Sequence, residues 1–293
     1  MRTYTLIGAT GNVGSAAAAR LLANGHAVRA YVRSEAHAEI WRKRGGQPFL
    51  GDLNDVNALT EAFAGADAVY LMTPTWFAAD NMFAENERAL DALDEAVGKA
   101  GPRRVVLLSS IGAHRPHGTG AILKLHAMER RFARLPNVTS IRAGWFMENY
   151  AGLVPHVSES GVLPSMLTPL DAPVPMVATA DVGAAVASAL SSDWSGQRVV
   201  ELEGPRRYSP NDVAMTFAKV LGRAVRAEVL PETRWTETWL SWGLTQGSAS
   251  AMSEMLRGFN DRWISFERPA GETTPGGTSL ENVLAELVGR ARH

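Results

Sequence analysis

The chain has 293 residues, 46% hydrophobic and 20% charged, with 27 glycines, 15 prolines and no cysteine. That length suits one large or two ordinary domains whose core needs no covalent staple. The absence of cysteine excludes disulfides, thiolate zinc sites, iron–sulfur clusters and a cysteine nucleophile. A net charge of -1, from 29 basic and 30 acidic residues, argues against broad binding to nucleic acid or to an anionic membrane, a local patch excepted. No basic segment leads into an apolar run at the start, so no signal peptide is expected. The mildly apolar stretch Val174–Leu190 is broken by Asp181, so no spanning helix is expected either, and a cytoplasmic protein is the default reading.

The first 145 or so residues alternate short β-rich runs with helical ones. Thr3–Ile7 predicts a strand stopped at Gly8, and Val13–Asn24 a helix ended by Gly25. Ala27–Val32 predicts a second strand, Ala36–Arg44 a helix closed by Gly45-Gly46, and Pro48–Leu50 a short third strand. Val56–Phe63 predicts a helix, Asp67–Met72 a fourth strand, and Asn81–Ala100 a long helix. Arg104–Leu108 predicts a fifth strand, Ile122–Arg134 a helix and Thr139–Arg142 a sixth strand. Strands alternating with helices imply a parallel sheet with right-handed crossovers, covered on both faces. Beyond Gly144 the pattern loosens. Residues 152–176 look loop-rich, Asp181–Ser191 predicts a helix and Val199–Leu202 a strand. Ser209 is a fitting cap, before Pro210, for a helix over Asn211–Leu221. Trp235–Phe266 reads as helical and aromatic.

Gly8-Ala9-Thr10-Gly11-Asn12-Val13-Gly14 follows the first strand and opens the first helix. Glycines there let the backbone turn tightly and approach a pyrophosphate, and the helix start offers free N–H groups and a positive dipole end. Gly8, Thr10, Gly11, Asn12, Val13 and Gly14 are therefore expected to hold a dinucleotide. The fold class that follows is α/β, a Rossmann-type doubly wound parallel sheet with a smaller C-terminal α/β lobe. Residues 1–145 are expected to form the nucleotide-binding domain, with 177–203 returning to it. Residues 146–176 and 204–293 are expected to form the substrate lobe. An NAD(H) site commonly has an acid at the end of the second strand, but here Ala30-Tyr31-Val32 runs into Arg33 and Ser34. Arg33 beside a serine hydroxyl suits a 2′-phosphate, so NADP(H) is expected ahead of NAD(H), with Glu35 weakening the preference slightly. Asp52, followed by Leu53, is placed to accept from the adenine amino group. Its competing reading is a cap for the next helix, which Asn54 could supply equally well. Thr73-Pro74 and Ser109-Ser110 end strands four and five and should lie near the ribose and nicotinamide, because ligands bind outside the carboxyl ends of such strands.

The glycine run, Val28-Arg29-Ala30-Tyr31-Val32-Arg33 and Gly51-Asp52-Leu53 together resemble the NmrA-like group of atypical short-chain dehydrogenases. Arg142-Ala143-Gly144-Trp145-Phe146-Met147-Glu148-Asn149 resembles its R-P-x-x-F-M-E-N stretch, with Ala143 in place of the usual proline. Val177-Ala178-Thr179-Ala180-Asp181-Val182-Gly183 and Leu202-Glu203-Gly204-Pro205 with Tyr208-Ser209 resemble two later runs. The likeness spans residues 1 to about 225. It implies two competing functions: reduction of quinones or related conjugated, planar molecules, or redox sensing of NADP(H) without turnover through a protein partner.

The usual short-chain dyad Tyr-x-x-x-Lys is absent, because Tyr4, Tyr31, Tyr70, Tyr150 and Tyr208 are followed four residues on by Gly8, Glu35, Pro74, Val154 and Asp212. The helix after strand five carries Lys124-Leu125-His126-Ala127-Met128-Glu129-Arg130. The resemblance places a histidine in this region, so His126 is expected to aid a developing oxyanion, with Lys124 second. The plainer readings are a surface histidine and a solvated lysine. Trp76, Phe77, Trp145 and Phe146 are expected at the substrate cleft, with polar contacts from Asn149 and Tyr150 after Glu148. The stripe Trp235, Trp239 and Trp242 has core spacing but could also wall an apolar pocket. The histidines at 26, 37, 114, 117, 126, 156 and 293 show no ligand spacing, so no metal is expected. The expected function is NADPH-dependent hydride transfer to a quinone or another conjugated or aromatic carbonyl. The alternatives are a non-catalytic NADP(H) sensor and a tailoring reductase or isomerase in a specialised biosynthetic pathway. The expected partner is a small planar or aromatic substrate, and a homodimer is left open.

Overall fold

The computed structural model describes residues 1–269 and 271–291; His293 lies outside them. In the first half the elements are β1 (Thr3–Ile7), α1 (Asn12–Ala23), β2 (Ala27–Val32), α2 (Glu35–Lys43), β3 (Gln47–Leu50) and α3 (Val56–Phe63). They continue with β4 (Ala68–Leu71), α4 (Met82–Ala100), β5 (Val105–Ser110), α5 (Leu123–Phe132) and β6 (Asn137–Ala143). Then follow β7 (Trp145–Phe146), α6 (Val154–Ser160), β8 (Val162–Ser165), β9 (Met176–Val177), α7 (Thr179–Ser191) and β10 (Gly196–Glu203). The chain closes with α8 (Pro210–Leu221), β11 (Arg226–Val229), α9 (Trp235–Ser241), α10 (Gln246–Asn260), β12 (Thr274–Pro275) and α11 (Leu280–Ala291).

Eight parallel strands form one sheet in the order β12-β10-β6-β5-β4-β1-β2-β3. The order reverses between β1 and β4, which opens a crevice at their carboxyl ends. Successive strand residues serve opposite faces. Leu6 and Tyr70 join Leu21 of α1 and Val186 of α7, while Ile7 and Leu71 join Phe63 of α3, Leu90 of α4 and Phe132 of α5. Both faces being covered is why the strands are continuously apolar. Alanines at 16 to 19 make α1 flush enough for α7 to cross it closely. A Cβ on Gly183 would stand 2.6 Å from the Ala16 Cβ and 2.9 Å from the Val13 carbonyl oxygen.

A second apolar cluster gathers Tyr150, Phe217, Trp235, Trp239, Leu256 and Leu284. Polar ties fix this lobe to the sheet. Asp181 accepts from the Thr278 N–H and hydroxyl, each at 2.8 Å. Glu201 accepts from the N–H groups of Glu267 and Arg268, at 2.9 and 3.0 Å.

The structure corrects several expectations. Residues 152–176 hold α6 and β8, and β8 pairs with β11 in a separate two-stranded sheet. The aromatic tail is two helices, parted after Trp242 at Gly243, whose φ is 84°. α11, which carries no distinctive signal, closes the lobe, and β12 returns to the main sheet. Neither Asp52 nor Asn54 caps α3; Asp55 does, accepting from the Ala58 N–H at 3.0 Å.

Overpacking a tight contact costs ~1–3 kcal/mol, and each kcal/mol shifts Tm by ~2–4 °C in a chain of roughly this size. Gly183→Ala should therefore lower Tm by several degrees in thermal denaturation. An unchanged Tm would show that the α1–α7 crossing tolerates a methyl group.

Candidate active site

The sharpest local feature is the turn from β1 into α1. Gly8 has φ 71°, and a Cβ on it would meet Met72 Sδ at 2.7 Å. A Cβ on Gly14 would sit 2.2 Å from the Gly8 carbonyl oxygen, so Gly14 is required for helix–strand packing itself. Gly11 differs. Its φ of -82° suits any residue, and a Cβ there would meet only the Gly8 carbonyl, at 3.4 Å. Gly11 gives no side-chain cap, and the first helical bond runs from Ser15 N–H to the Gly11 carbonyl at 2.9 Å. The N–H groups of Asn12, Val13 and Gly14 thus lack helical partners and make a ready anion site. The cradle fits a dinucleotide pyrophosphate, with Thr10 and Asn12 exposed beside it.

Arg33 is exposed at the end of β2 and forms no ion pair among the described residues. Ser34 caps α2, and its hydroxyl meets His37 Nδ1 at 2.8 Å. Gly51 makes room for Tyr31, whose hydroxyl donates to the Asp52 carbonyl at 2.8 Å. The exposed Asp52 carboxylate accepts from the backbone N–H and side-chain amide of Asn54, both at 2.9 Å, and Leu53 lies half-buried beside it. Thr73 is buried at the end of β4, with a hydroxyl that lacks a partner. Ser110 is half-buried at the end of β5, whereas Ser109 is turned away. The Ser109 hydroxyl donates to Glu129, so its expected place at the coenzyme is not kept.

Lys124 and His126 of α5 point apart, because two residues along a helix turn by about 200°. Lys124 is 3% exposed, and its ammonium donates to the Pro74 carbonyl at 2.9 Å, 5.5 Å from the Trp76 ring centre. Burial pushes its pKa down from 10.5 to about 8. The Asn86 amide, itself buried on α4, donates to the Lys124 carbonyl at 3.3 Å and steadies the start of α5. Trp76 holds a φ of 48°, unusual for a bulky residue and the mark of a constrained loop. His126 Nδ1–H donates to the Ala113 carbonyl at 2.8 Å. That bond spends Nδ1 on the backbone and leaves Nε2 as the free nitrogen of the ring.

Of the expected substrate residues, Trp76 and Phe77 share the loop after β4. The Phe77 carbonyl accepts from the Thr245 N–H at 3.1 Å, and the ring packs against the second cluster. Trp145 meets Phe259 edge-on at 5.4 Å. Phe146 packs against the first cluster, and Asn149 is exposed. Tyr150 is withdrawn from the cleft, being buried edge-on against Phe217, where burial pushes its pKa up. A larger cavity, about 730 Å³, runs along the outer face of α1 past Ser15 and Leu22. Of its carboxylates, Glu148 is committed to the Thr179 N–H at 2.9 and 3.1 Å and Glu286 to Arg290, so no reactive pair converges there.

Sequence reasoning missed a buried ionic cluster. Arg142 forks onto Glu129, with Nε at 3.0 Å and Nη2 at 2.7 Å, and pairs with Glu267. Burial opposes the Arg142 charge, but its bonds to Glu129 and Glu267 together outweigh that and raise its pKa. The signal available was Arg142 itself, a charge inside an apolar strand.

A coenzyme cradle at the switch point, an arginine ending β2 and no tyrosine–lysine dyad define an atypical short-chain dehydrogenase. The NmrA-like family is matched over residues 2–267, and the chain belongs to that family. It is 30% identical over 225 residues, 76% of its length and 75% of the relative's, to a (4-alkanoyl-5-oxo-2,5-dihydrofuran-3-yl)methyl phosphate reductase of Streptomyces griseus. It is 25% identical over 253 residues, 85% of each chain, to an NAD(P)H azoreductase of Xenophilus azovorans. In structure it resembles an NADPH-dependent quinone oxidoreductase of Escherichia coli complexed with NADPH, with a TM-score of 0.81, 24% identity and all of both chains covered.

The two inner glycines should separate in a titration. Gly11→Ala should leave Tm within a few degrees and weaken NADPH binding by at least about tenfold, or ~1.4 kcal/mol. Gly14→Ala should unfold or strongly destabilise the chain. Full NADPH affinity in Gly11→Ala would remove the cradle from the coenzyme.

Proposed function

We propose that the chain is an NADPH-dependent oxidoreductase that reduces a quinone or another conjugated, aromatic acceptor, with Lys124 assisting the acceptor oxygen. The observation that carries this reading is the buried Lys124 ammonium at the carboxyl end of β4, beneath Trp76. The named relatives, each a reductase or oxidoreductase, support it.

NADPH supplies the hydride when bound. The α1 N–H groups hold its pyrophosphate, and Arg33 meets the 2′-phosphate with a charge-assisted fork. Lys124 is protonated at neutral pH and has donors beyond the one spent on Pro74. It offers one to an oxygen that becomes a phenolate, and a pKa of about 8 suits a proton donor working near neutrality. His126 then serves to hold the segment after β5. This reverses the order of the two residues expected from sequence. Trp76 and Trp145 supply flat walls for the acceptor ring. A sensor that only binds coenzyme has no use for a buried ammonium that weakens its fold, so turnover is favoured over sensing.

The deciding experiment is NADPH and NADH oxidation by purified protein against a panel of small quinones. Turnover with NADPH is expected; tight coenzyme binding with no turnover would sink the reading. Arg33→Ala should raise Kd for NADPH by about tenfold or more and leave NADH unchanged. Equal losses for both would remove Arg33 from the 2′-phosphate.

The lowered pKa also fixes a stability sign. Between pH 8 and 10.5 the unfolded chain binds the Lys124 proton more tightly than the folded one, so stability rises with pH across that window. Below it the buried charge costs on the order of 3 kcal/mol. Lys124→Met should raise Tm by a few degrees at pH 7, lower kcat by about 100-fold and keep NADPH affinity. The wild-type kcat should fall as pH rises through about 8. Unchanged turnover in Lys124→Met would return Lys124 to a structural role.

A further inference from the structure

We propose that a cavity outside the carboxyl ends of β6 and β10 takes an anionic substituent of the substrate, a phosphate or a carboxylate. This rests on the reductase reading and narrows its substrate class. The cavity measures about 360 Å³ and is lined by Arg207, Arg262 and Arg268 together with Phe259, Phe266 and Ser265.

The charge there is in surplus. Arg207 is answered by Glu203, with Nε at 2.7 Å and Nη2 at 3.3 Å from its oxygens. Among the described residues, neither the Arg262 nor the Arg268 guanidinium has an acidic partner. Of the neighbouring acids, Glu201 is held by the N–H groups of Glu267 and Arg268 and Glu267 by Arg142, while Asp261 lines a separate cavity with Arg257. A concave site with apolar walls concentrates the field of unpaired cations.

Arg262 stands in the left-handed region at φ 58°, directly after the Asp261 cap of α10. Glycine commonly ends a helix in that conformation, and a larger residue pays ~1–2 kcal/mol. An arginine kept there loses stability and gains a guanidinium at the rim of the cavity.

Position ties the cavity to the chemistry. Phe259 both lines it and meets Trp145, and the Pro175 carbonyl in its wall accepts from the Trp145 N–H at 2.8 Å. Strands lie ~4.8 Å apart, so β6 stands on the order of 10 Å from β4, where Lys124 meets Pro74. A substrate reaching both would place its reducible bond by Lys124, a ring along Trp145 and its anion among the arginines.

The test titrates phenyl phosphate into the full chain saturated with NADP+, which fills the Arg33 site. The wild type should bind it, and more tightly than inorganic phosphate, which lacks a ring for Phe259. Arg262→Gly, which also relaxes the backbone, and Arg268→Ala should each weaken phenyl phosphate binding at least tenfold. No binding by the wild type, no loss in either variant, or equal affinity for inorganic phosphate would overturn the proposal. In turnover, the ratio of kcat/KM for 1,4-naphthoquinone-2-sulfonate to that for menadione should fall at least tenfold in the double variant. If neither quinone is reduced, quinone reduction fails while the titration still decides the cavity.

Discussion

The approach of Gly14 to the Gly8 carbonyl is the constraint on which the rest of the site depends. With a Cβ at 2.2 Å excluded, the first turn of α1 is drawn against the end of β1. Three consequences follow from that one contact. The uncapped N–H groups of α1 face the crevice where the strand order reverses. The end of β1 lies against Met72 beyond β4, so the loop carrying Pro74 and Trp76 begins beside the coenzyme cradle. The outer, alanine-lined face of α1 is left flush for Gly183 of α7. Strand, loop and two helices are thereby registered by close approaches at three glycines, Gly8, Gly14 and Gly183.

The second lobe is registered by charge instead. Arg142, Glu129, Glu201 and Glu267 form a cluster at the junction of β6, α5 and β10. Such pairs add little net stability once desolvation is counted, but they penalise any arrangement that leaves one member alone. Here they fix the segment at Ile264–Arg268, which packs through Ile264 and Phe266 onto Ile111 and Ala113 just after β5. Ser109 is drawn into the same cluster, which explains why a serine at the end of a strand does not face the coenzyme.

The nucleotide half was legible because each of its signals is local. An apolar run, a glycine and an alanine-rich helix recur within thirty residues, and the strand ends then name the crevice. The second half was not, because its elements are short and held by distant partners. β8 needs β11 sixty residues on, and α11 is recognisable only once α8 and the segment Met147–Leu153 form a surface for it. The same distinction separates Lys124 from His126. Nothing near Lys124 in sequence buries it; the burial comes from a loop fifty residues away, through Pro74 and Trp76. Tyr150 was misplaced for the opposite reason, since Phe217 withdraws it from the cleft that its neighbours suggest.

Several positive charges without an acidic partner among the described residues lie beyond the carboxyl ends of the strands. Arg33 stands past β2, Lys124 under the loop after β4, and Arg262 and Arg268 outside β6 and β10. Lys124 is held at a cost in stability by burial, and Arg262 by its backbone conformation. Neither expense improves packing, and both are recovered only when negative charge arrives. In the proposed reaction hydride transfer delivers such charge to the acceptor oxygen, so the Lys124 ammonium would be worth more in the transition state than before it. The arginines would act earlier in the proposed reaction, drawing an anion into the cleft and orienting a long, flat molecule along Trp145. A chain with almost no net charge can thus favour an acidic substrate, because three arginines and no acid line this one cavity.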